Sequence, residues 1–587
     1  MALKHVIFVW LGFAVALGLW VAPTLIGPPL AQQTDRFLRD EDIWPLIGLT
    51  ALFAVYPVVV WPLARRCARW AKWRPSPLGT AIAAAVLTAL VAGLGVGLVF
   101  GGFGHSRDED MAGFGAAILR HGQTWAPVAA EWRSYVAGLE PEFVRFAAGG
   151  GLWQPAYLPV HAALRALAGA VGAAAWLNPA LAALSVIALF GVARRLWPSR
   201  PDLALTSTVL MASSSQFLLT AMTPYAMTAH LAFNLVWLWL HLRGGKAGHT
   251  GALVVGFLAT GLHQMVFHPL FAAPFVLQLW LDRRWSLAGL YTVVYAGICL
   301  FWLQFPALTL AAAGGVASGA AGVAGVGGQV SALIRAQHPP TGVTMAENLI
   351  RFVTWQNVLA APLAVLGLVP AIRAGGATRA LAVGLALTTA ALIVLMPYQG
   401  YGWGYRYWHG LLGSIALIGA LGWSRITERL AHADQGAAQV LFAGAAMFSI
   451  LVLAPLRAVQ ARDLTRPYAL AYSAIRRSPA QVVLIDARSA WYINDLVRND
   501  PYLANRPLVM RARSLTKDQI GALCSRYTVA VLDSAQAASF GIRVLRPWAM
   551  AAEPGRWGAL GLAPRCGPNA TPVAEIKPEP GPQGASR

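Results

Sequence analysis

Apolar runs of about 20 residues recur along most of the chain, the length a helix needs to cross the hydrocarbon core of a bilayer. The first is Val6–Ile26 and the last, shorter, is Val440–Leu453. Only 12% of the 587 residues are charged and 57% are hydrophobic; a soluble chain carries about twice that share of charge. Recurring apolar runs and scarce charge together predict a mostly α, polytopic helical membrane protein of about 13 spans. The formal net charge of +21 falls largely in short loops. There it sets orientation in the membrane and is no sign of nucleic-acid binding. Cys67, Cys299, Cys524 and Cys566 show no zinc-type spacing.

Positive residues mark the cytoplasmic side. Val6–Ile26 follows Lys4, is too long for a typical signal-peptide core, and reads as a retained anchor with a cytoplasmic amino terminus. The loop of Asp35, Arg36, Arg39, Asp40, Glu41 and Asp42 is net acidic and falls outside. Trp44–Ala64 returns to Arg65, Arg66, Arg69, Lys72 and Arg74 inside, so Leu78–Phe103 delivers Asp108 to the outside. Tyr157–Gly172, broken by His161 and Arg165, reads as an amphipathic helix at the outer interface. The remaining charged loops alternate, which places the carboxyl terminus outside. Short loops point to a bacterial inner membrane with a periplasmic carboxyl terminus.

The expected organisation is an amino-terminal transmembrane hairpin over 1–75 and a transmembrane core over 76–456, with a first large outer loop at 104–155. A small extracytoplasmic α/β domain over 457–567 and a disordered tail over 568–587 complete it. In the α/β domain Gln481–Asp486 and Thr528–Asp533 read as buried strands, Arg506–Arg511 as a third, and Thr516–Arg526 as a helix in a partly parallel sheet. Cys524 and Cys566 both fall there and can pair, a link worth roughly 3–4 kcal/mol.

Three clusters can carry chemistry. Asp108-Glu109-Asp110 opens a short helix just past the outer end of a span. Acids at a helix start are favoured by its dipole, which is the structural reading. The functional reading is a general base that takes the proton of an attacking hydroxyl or amine. The outer segment Tyr398–Gly410 interleaves glycines with aromatics. Trp403 and Tyr405 offer flat faces to a sugar or isoprenoid, Arg406 can grip a phosphate in a fork, and His409 can assist. An interfacial aromatic belt with a snorkelling arginine is the alternative there. The third cluster is His263, Gln264 and His268 at an outer interhelical turn. Two histidines can ligate a metal, though no third ligand is adjacent; His263 and Gln264 can bind the sugar or phosphate of a donor; or the group is a polar cap of the turn. Arg335 and His338 can belong to a lid over the site, and Tyr157 to its wall.

The order of these motifs resembles the GT-C superfamily of membrane glycosyltransferases. It is most similar to the branch of protein O-mannosyltransferases and aminoarabinose transferases. Asp108-Glu109 stands where that branch opens its first outer loop with an Asp-Glu pair. Gln154-Pro155-Ala156-Tyr157-Leu158-Pro159 leads into the interfacial helix, and Gly404-Tyr405-Arg406-Tyr407 matches a late Arg-Tyr pair preceded by glycines. The resemblance covers roughly Leu78–Trp423. Spans 1 and 2 are additional to it, and the triplet leaves Asp110 as a further acidic candidate. It implies inverting transfer from a polyprenyl-phosphate sugar to an extracytoplasmic glycan, lipid or protein acceptor, with Asp108 as base and membrane lipids as surroundings. It names no certain cofactor and leaves a divalent metal open. The competing expectation is a lipid or sugar transporter or flippase that forms no glycosidic bond.

Overall fold

The computed structural model describes residues 2–27, 33–68, 76–140, 142–316, 341–396, 402–545 and 574–575. The fold is mostly helical, with two small sheets. Six helices are long and apolar enough to cross a membrane, or up to nine if each of three bent pairs is one span, by length and composition among the described residues. The count is lower than the thirteen expected because several segments form shorter helices. Met227–Arg243 has 17 residues, Gly245–Thr260 has 16 and Phe267–Leu281 has 15. Gly342–Trp355 and Ala360–Ala374 form a pair bent by 109°.

Two compact units divide the chain. The first comprises Met1–Val99, Ala173–Leu303 and Ala324–Gln460, and the second Phe100–Gly172, Gln304–Val323 and Ala461–Arg587.

The first unit is a helical assembly. Pro77–Leu98 shows how its sequence makes a span. Ser76 caps the start by accepting from the Gly79 amide, Pro77 occupies a position that needs no donor, and no charged residue follows. Its small residues Ala81, Ala85 and Ala92 are buried, while Leu87, Leu94 and Leu98 are exposed. Such a leucine stripe is a surface suited to lipid. Small residues also set a close contact between Ala360–Ala374 and Leu412–Thr427. A Cβ on Gly422 would stand 2.0 Å from the Leu363 carbonyl oxygen, and one on Gly367 would stand 1.9 Å from that of Ile418. Only glycine lets these backbones touch.

The second unit is built on a four-stranded parallel sheet in which, by chain order, the strands lie side by side as second, first, third and fourth. Its strands are β4 Val482–Ile485, β5 Leu508–Arg511, β6 Val529–Leu532 and β7 Ala574–Glu575. Strands covered on both faces read as continuous apolar runs, which is why QVVLID and TVAVLD were legible. Alternate residues supply two cores. Val482, Leu484, Leu508 and Met510 pack with Met111, Phe114 and Ile118 of the helix Arg107–Arg120. Val483, Ile485 and Val509 pack with Tyr468, Ala471 and Ile475 of the helix Ala454–Arg477. The helix Lys517–Arg526 returns the chain from β5 to β6, capped at Thr516. A three-stranded antiparallel sheet of β1 Ala126–Pro127, β3 Leu152–Pro155 and β2 Val144–Phe146, in that order, frames the outer-loop segment. The expected interfacial helix is Val160–Ala170, 11 residues long and too short to span a bilayer. Cys524 is disulfide-bonded, Cys67 and Cys299 are free, and Cys566 lies outside the described residues.

Candidate active site

In the second unit the acidic triplet forms the first turn of the helix Arg107–Arg120. Ser106 is the cap. Its side chain accepts from the Glu109 amide at 3.4 Å, and the Glu109 carboxylate accepts from the Ser106 amide at 2.8 Å. This reciprocal box satisfies two donors that a helix start leaves orphaned. Glu109 therefore has a local structural role. Asp108, one residue earlier, is 8% exposed and is held differently, by the hydroxyl of Tyr157, which donates to its Oδ1. Asp110 is half-buried and pairs with Arg107 at 3.1 Å.

The surroundings hold more charge than the triplet alone. Arg107 is buried and contacts Glu140 and the Val497 carbonyl. Arg498 donates to the carbonyls of His105, at 2.8 Å, and of Asp495, at 2.7 Å, with its guanidinium 4.2 Å from the Phe103 ring centroid. Burial pushes the Glu109 carboxyl up to about 7; the Ser106 bonds and Arg498 oppose the rise, and Asp108 adds to it. Burial also lifts Asp495 to about 8, against Arg498 and Arg107. Burial, with help from Arg498, drives His105 well below the usual histidine range, so its ring is neutral at pH 7. Buried carboxylates whose proton affinities reach neutrality are the groups acid–base chemistry uses.

In the first unit Arg406 opens a 3-10 turn, Arg406–Leu411, that runs into the helix Leu412–Thr427. The side chain is nearly buried, its guanidinium 5.3 Å from the ring centroids of both Tyr225 and Tyr407. It borders a small cavity with His230, Asn234, Phe267, Thr388 and Tyr407. Planar cation and aromatic faces of this kind suit a phosphate carrying an apolar or sugar substituent.

The backbone of this turn is clamped carbonyl by carbonyl. Arg351 donates to Gly402 O at 2.9 Å and Gly404 O at 3.2 Å; Gln216 donates to Tyr405 O at 3.0 Å; Asn234 donates to Gly410 O at 3.1 Å. Gly404 has φ +63, and a Cβ there would lie 2.4 Å from Gln216 Oε1, so both conformation and space require glycine. Asn234 in turn bonds His268 at 2.8 Å, and His268 bonds the Tyr295 hydroxyl at 2.8 Å.

Arg351 is itself fixed by a buried ion network. It pairs with Glu41 at 2.8 Å and with Asp42 at 3.4 Å; Asp42 also pairs with Arg457 at 2.8 Å and accepts from Trp355 and Thr354. Glu41 and Asp42, read from sequence as part of a net acidic outer loop, are buried. Arg351, Gln216, Asn234 and Tyr225 were missed as site residues. The signal in reach was a lone arginine inside an otherwise apolar stretch, Ile350–Trp355.

The other expected residues are placed as follows. Trp403 and Tyr405 are buried in the same segment as Arg406, Trp403 against Trp355 at 6.0 Å and Tyr405 with its hydroxyl 3.7 Å from Met345 Sδ. His409 is fully buried in the turn. His263 is buried and Gln264 half-buried between the helices Gly245–Thr260 and Phe267–Leu281, and neither lines the Arg406 cavity. Arg335, His338 and Tyr398–Tyr401 lie outside the described residues. Among the described residues no group of three or more His, Cys, Asp or Glu stands together as a metal ligand set.

No protein-family model and no curated protein matches the chain. Among solved structures it is similar to ArnT from Cupriavidus metallidurans in the apo state, at 11% identity over 76% of this chain and 91% of that one, TM-score 0.46. It is also similar to ArnT from the same organism bound to undecaprenyl phosphate, at 13% identity over 72% of this chain and 85% of that one, TM-score 0.39.

Proposed function

We propose that the chain is an integral membrane glycosyltransferase that moves a sugar from a polyprenyl-phosphate donor to an extracytoplasmic acceptor with inversion. Asp108 takes the proton of the acceptor hydroxyl as its oxygen attacks the anomeric carbon. The bond from that carbon to the phosphate oxygen breaks in the same displacement, and negative charge gathers on the departing lipid phosphate. Arg406 receives that charge. A positive group already oriented at the leaving group is commonly the largest catalytic contribution. Tyr157 keeps the Asp108 carboxylate aimed by donating to it. Glu109 holds the helix start that carries Asp108.

The observation that carries this reading is the clamping of the Arg406 turn. Three buried side chains are spent on four carbonyls to hold one arginine between two tyrosine rings. An arginine serving only as an interfacial anchor needs no such support, since it reaches water by its own flexible stem. The test is to reconstitute the full chain with a panel of radiolabelled polyprenyl-phosphate sugars and a membrane extract as acceptor source. Consumption of one donor with a new glycosidic bond of inverted configuration is expected. Movement of label across the bilayer with no new bond contradicts the proposal.

A further inference from the structure

The parallel sheet of the second unit carries a crevice that the transfer reading does not use. From β4 the chain passes to β5 on one side, then crosses to β6 on the other, so the strand order reverses at β4. The carboxyl ends of strands at such a reversal leave a natural opening, because the loops diverge there. The opening exists, with a volume of about 230 Å³, and is lined by Asp486, Arg488, Tyr492, Asn494, Arg511 and Arg513 among others.

Three guanidiniums face one carboxylate in it. Asp486 meets Arg488 only at 3.6 Å. Glu142, outside the lining, meets Arg511 only at 3.8 Å and takes a hydrogen bond from Asn494 at 2.9 Å. Arg513 is exposed and has no ion-pair partner among the described residues. Arg511 is aimed by donating to Ser514 Oγ at 2.6 Å. Burial first, and the charge of Arg513 second, hold Arg511 below the usual arginine range. Like charges kept this close are a standing attraction for an anion. The crevice also has a flat wall. Tyr492 stacks on Trp491 at 4.8 Å, and its backbone is left-handed at φ 48, a conformation tyrosine seldom adopts. Aromatic face, amide and carboxylate beside a cationic group form the donor set for a sugar that bears an acidic substituent.

We infer that this crevice binds an anionic saccharide, a sugar carrying a phosphate or a carboxylate, as a site separate from the transfer chemistry. The experiment is calorimetric titration of the full chain in detergent with glucose 6-phosphate, glucuronate and glucose. Saturable binding of at least one anionic sugar, and none of glucose, is expected; which of the two binds identifies the acidic group. Arg513→Glu, at an exposed position, should weaken that binding at least tenfold. Arg526→Glu, an equal charge change outside the crevice, should leave it unaltered. No saturable binding of either anion, equal binding of glucose, or equal weakening by both variants overturns the inference. Asp108→Asn should bind as the wild type does, so a failure of the transfer reading leaves this result intact and the reverse also holds.

Discussion

Asp108 and Arg406 are both nearly buried polar groups, but the backbone beneath each is secured differently. The helix start that carries Asp108 is capped locally, Ser106 and Glu109 completing one another three residues apart, while Asp108 itself takes the Tyr157 hydroxyl from 49 positions on and Arg107 reaches the Val497 carbonyl across 390. The arginine turn is organised from afar. Arg351 reaches Gly402 across 51 positions and Asp42 across 309, and Arg457 reaches the Glu41 carbonyl across 416. The contrast teaches that a capping motif announces itself in a sequence, whereas a clamp assembled from distant single charges does not.

The contrast can be broken most strongly at Asp42. Removing one member of a buried ion network leaves its partners uncompensated, at about 3–5 kcal/mol. Asp42→Ala should therefore lower the melting temperature in detergent sharply and abolish sugar transfer, although Asp42 stands far from Arg406 in sequence. Arg351→Lys sharpens the point: it retains the charge but loses the fork that reaches two carbonyls, so turnover should fall more than stability does.

A smaller effect is expected at Glu109, read through pH. Its folded carboxyl sits near 7 instead of 4.5, so the folded state holds the proton more tightly than the unfolded one. Stability linked to this group is then greatest below about pH 4.5 and declines as pH rises toward 7. Glu109→Gln keeps a side-chain acceptor for the Ser106 amide and removes the titration. Its melting temperature should vary less than that of the wild type across that window; an unchanged slope would mean the box is not as buried as described.

The smallest effect is expected at Ser106. Ser106→Ala removes one cap, worth about 0.5–2 kcal/mol, and should trim stability while leaving most turnover. If it damages transfer as much as Asp42→Ala, the distinction between local and distant support fails.

Much of this was legible beforehand, for identifiable reasons. Strands β4 and β6 are continuous apolar runs, so Gln481–Asp486 and Thr528–Asp533 could be read as strands, whereas β7, Ala574–Glu575, falls in the stretch expected to be a disordered tail. Arg406 drew notice because glycines and aromatics surround it. Glu41 and Asp42 read only as part of a net acidic outer loop because their counter-charges, Arg351 and Arg457, lie in other helices. Gln216 and Asn234 sit inside apolar helices where hydropathy shows only a span. Six to nine spans pass by length and composition among the described residues, against about 13 read from hydropathy, which does not reveal a 109° bend or a helix of 15 residues.

The most direct measurement is single-turnover sugar transfer from the radiolabelled polyprenyl-phosphate donor by wild type, Asp108→Asn and Arg406→Ala, each checked for a cooperative melt. Loss of a general base typically costs about 10²–10⁴-fold in rate. The proposal expects Asp108→Asn to fall in that range and Arg406→Ala to lose turnover while both proteins remain folded. Undiminished transfer by a folded Asp108→Asn protein would contradict it.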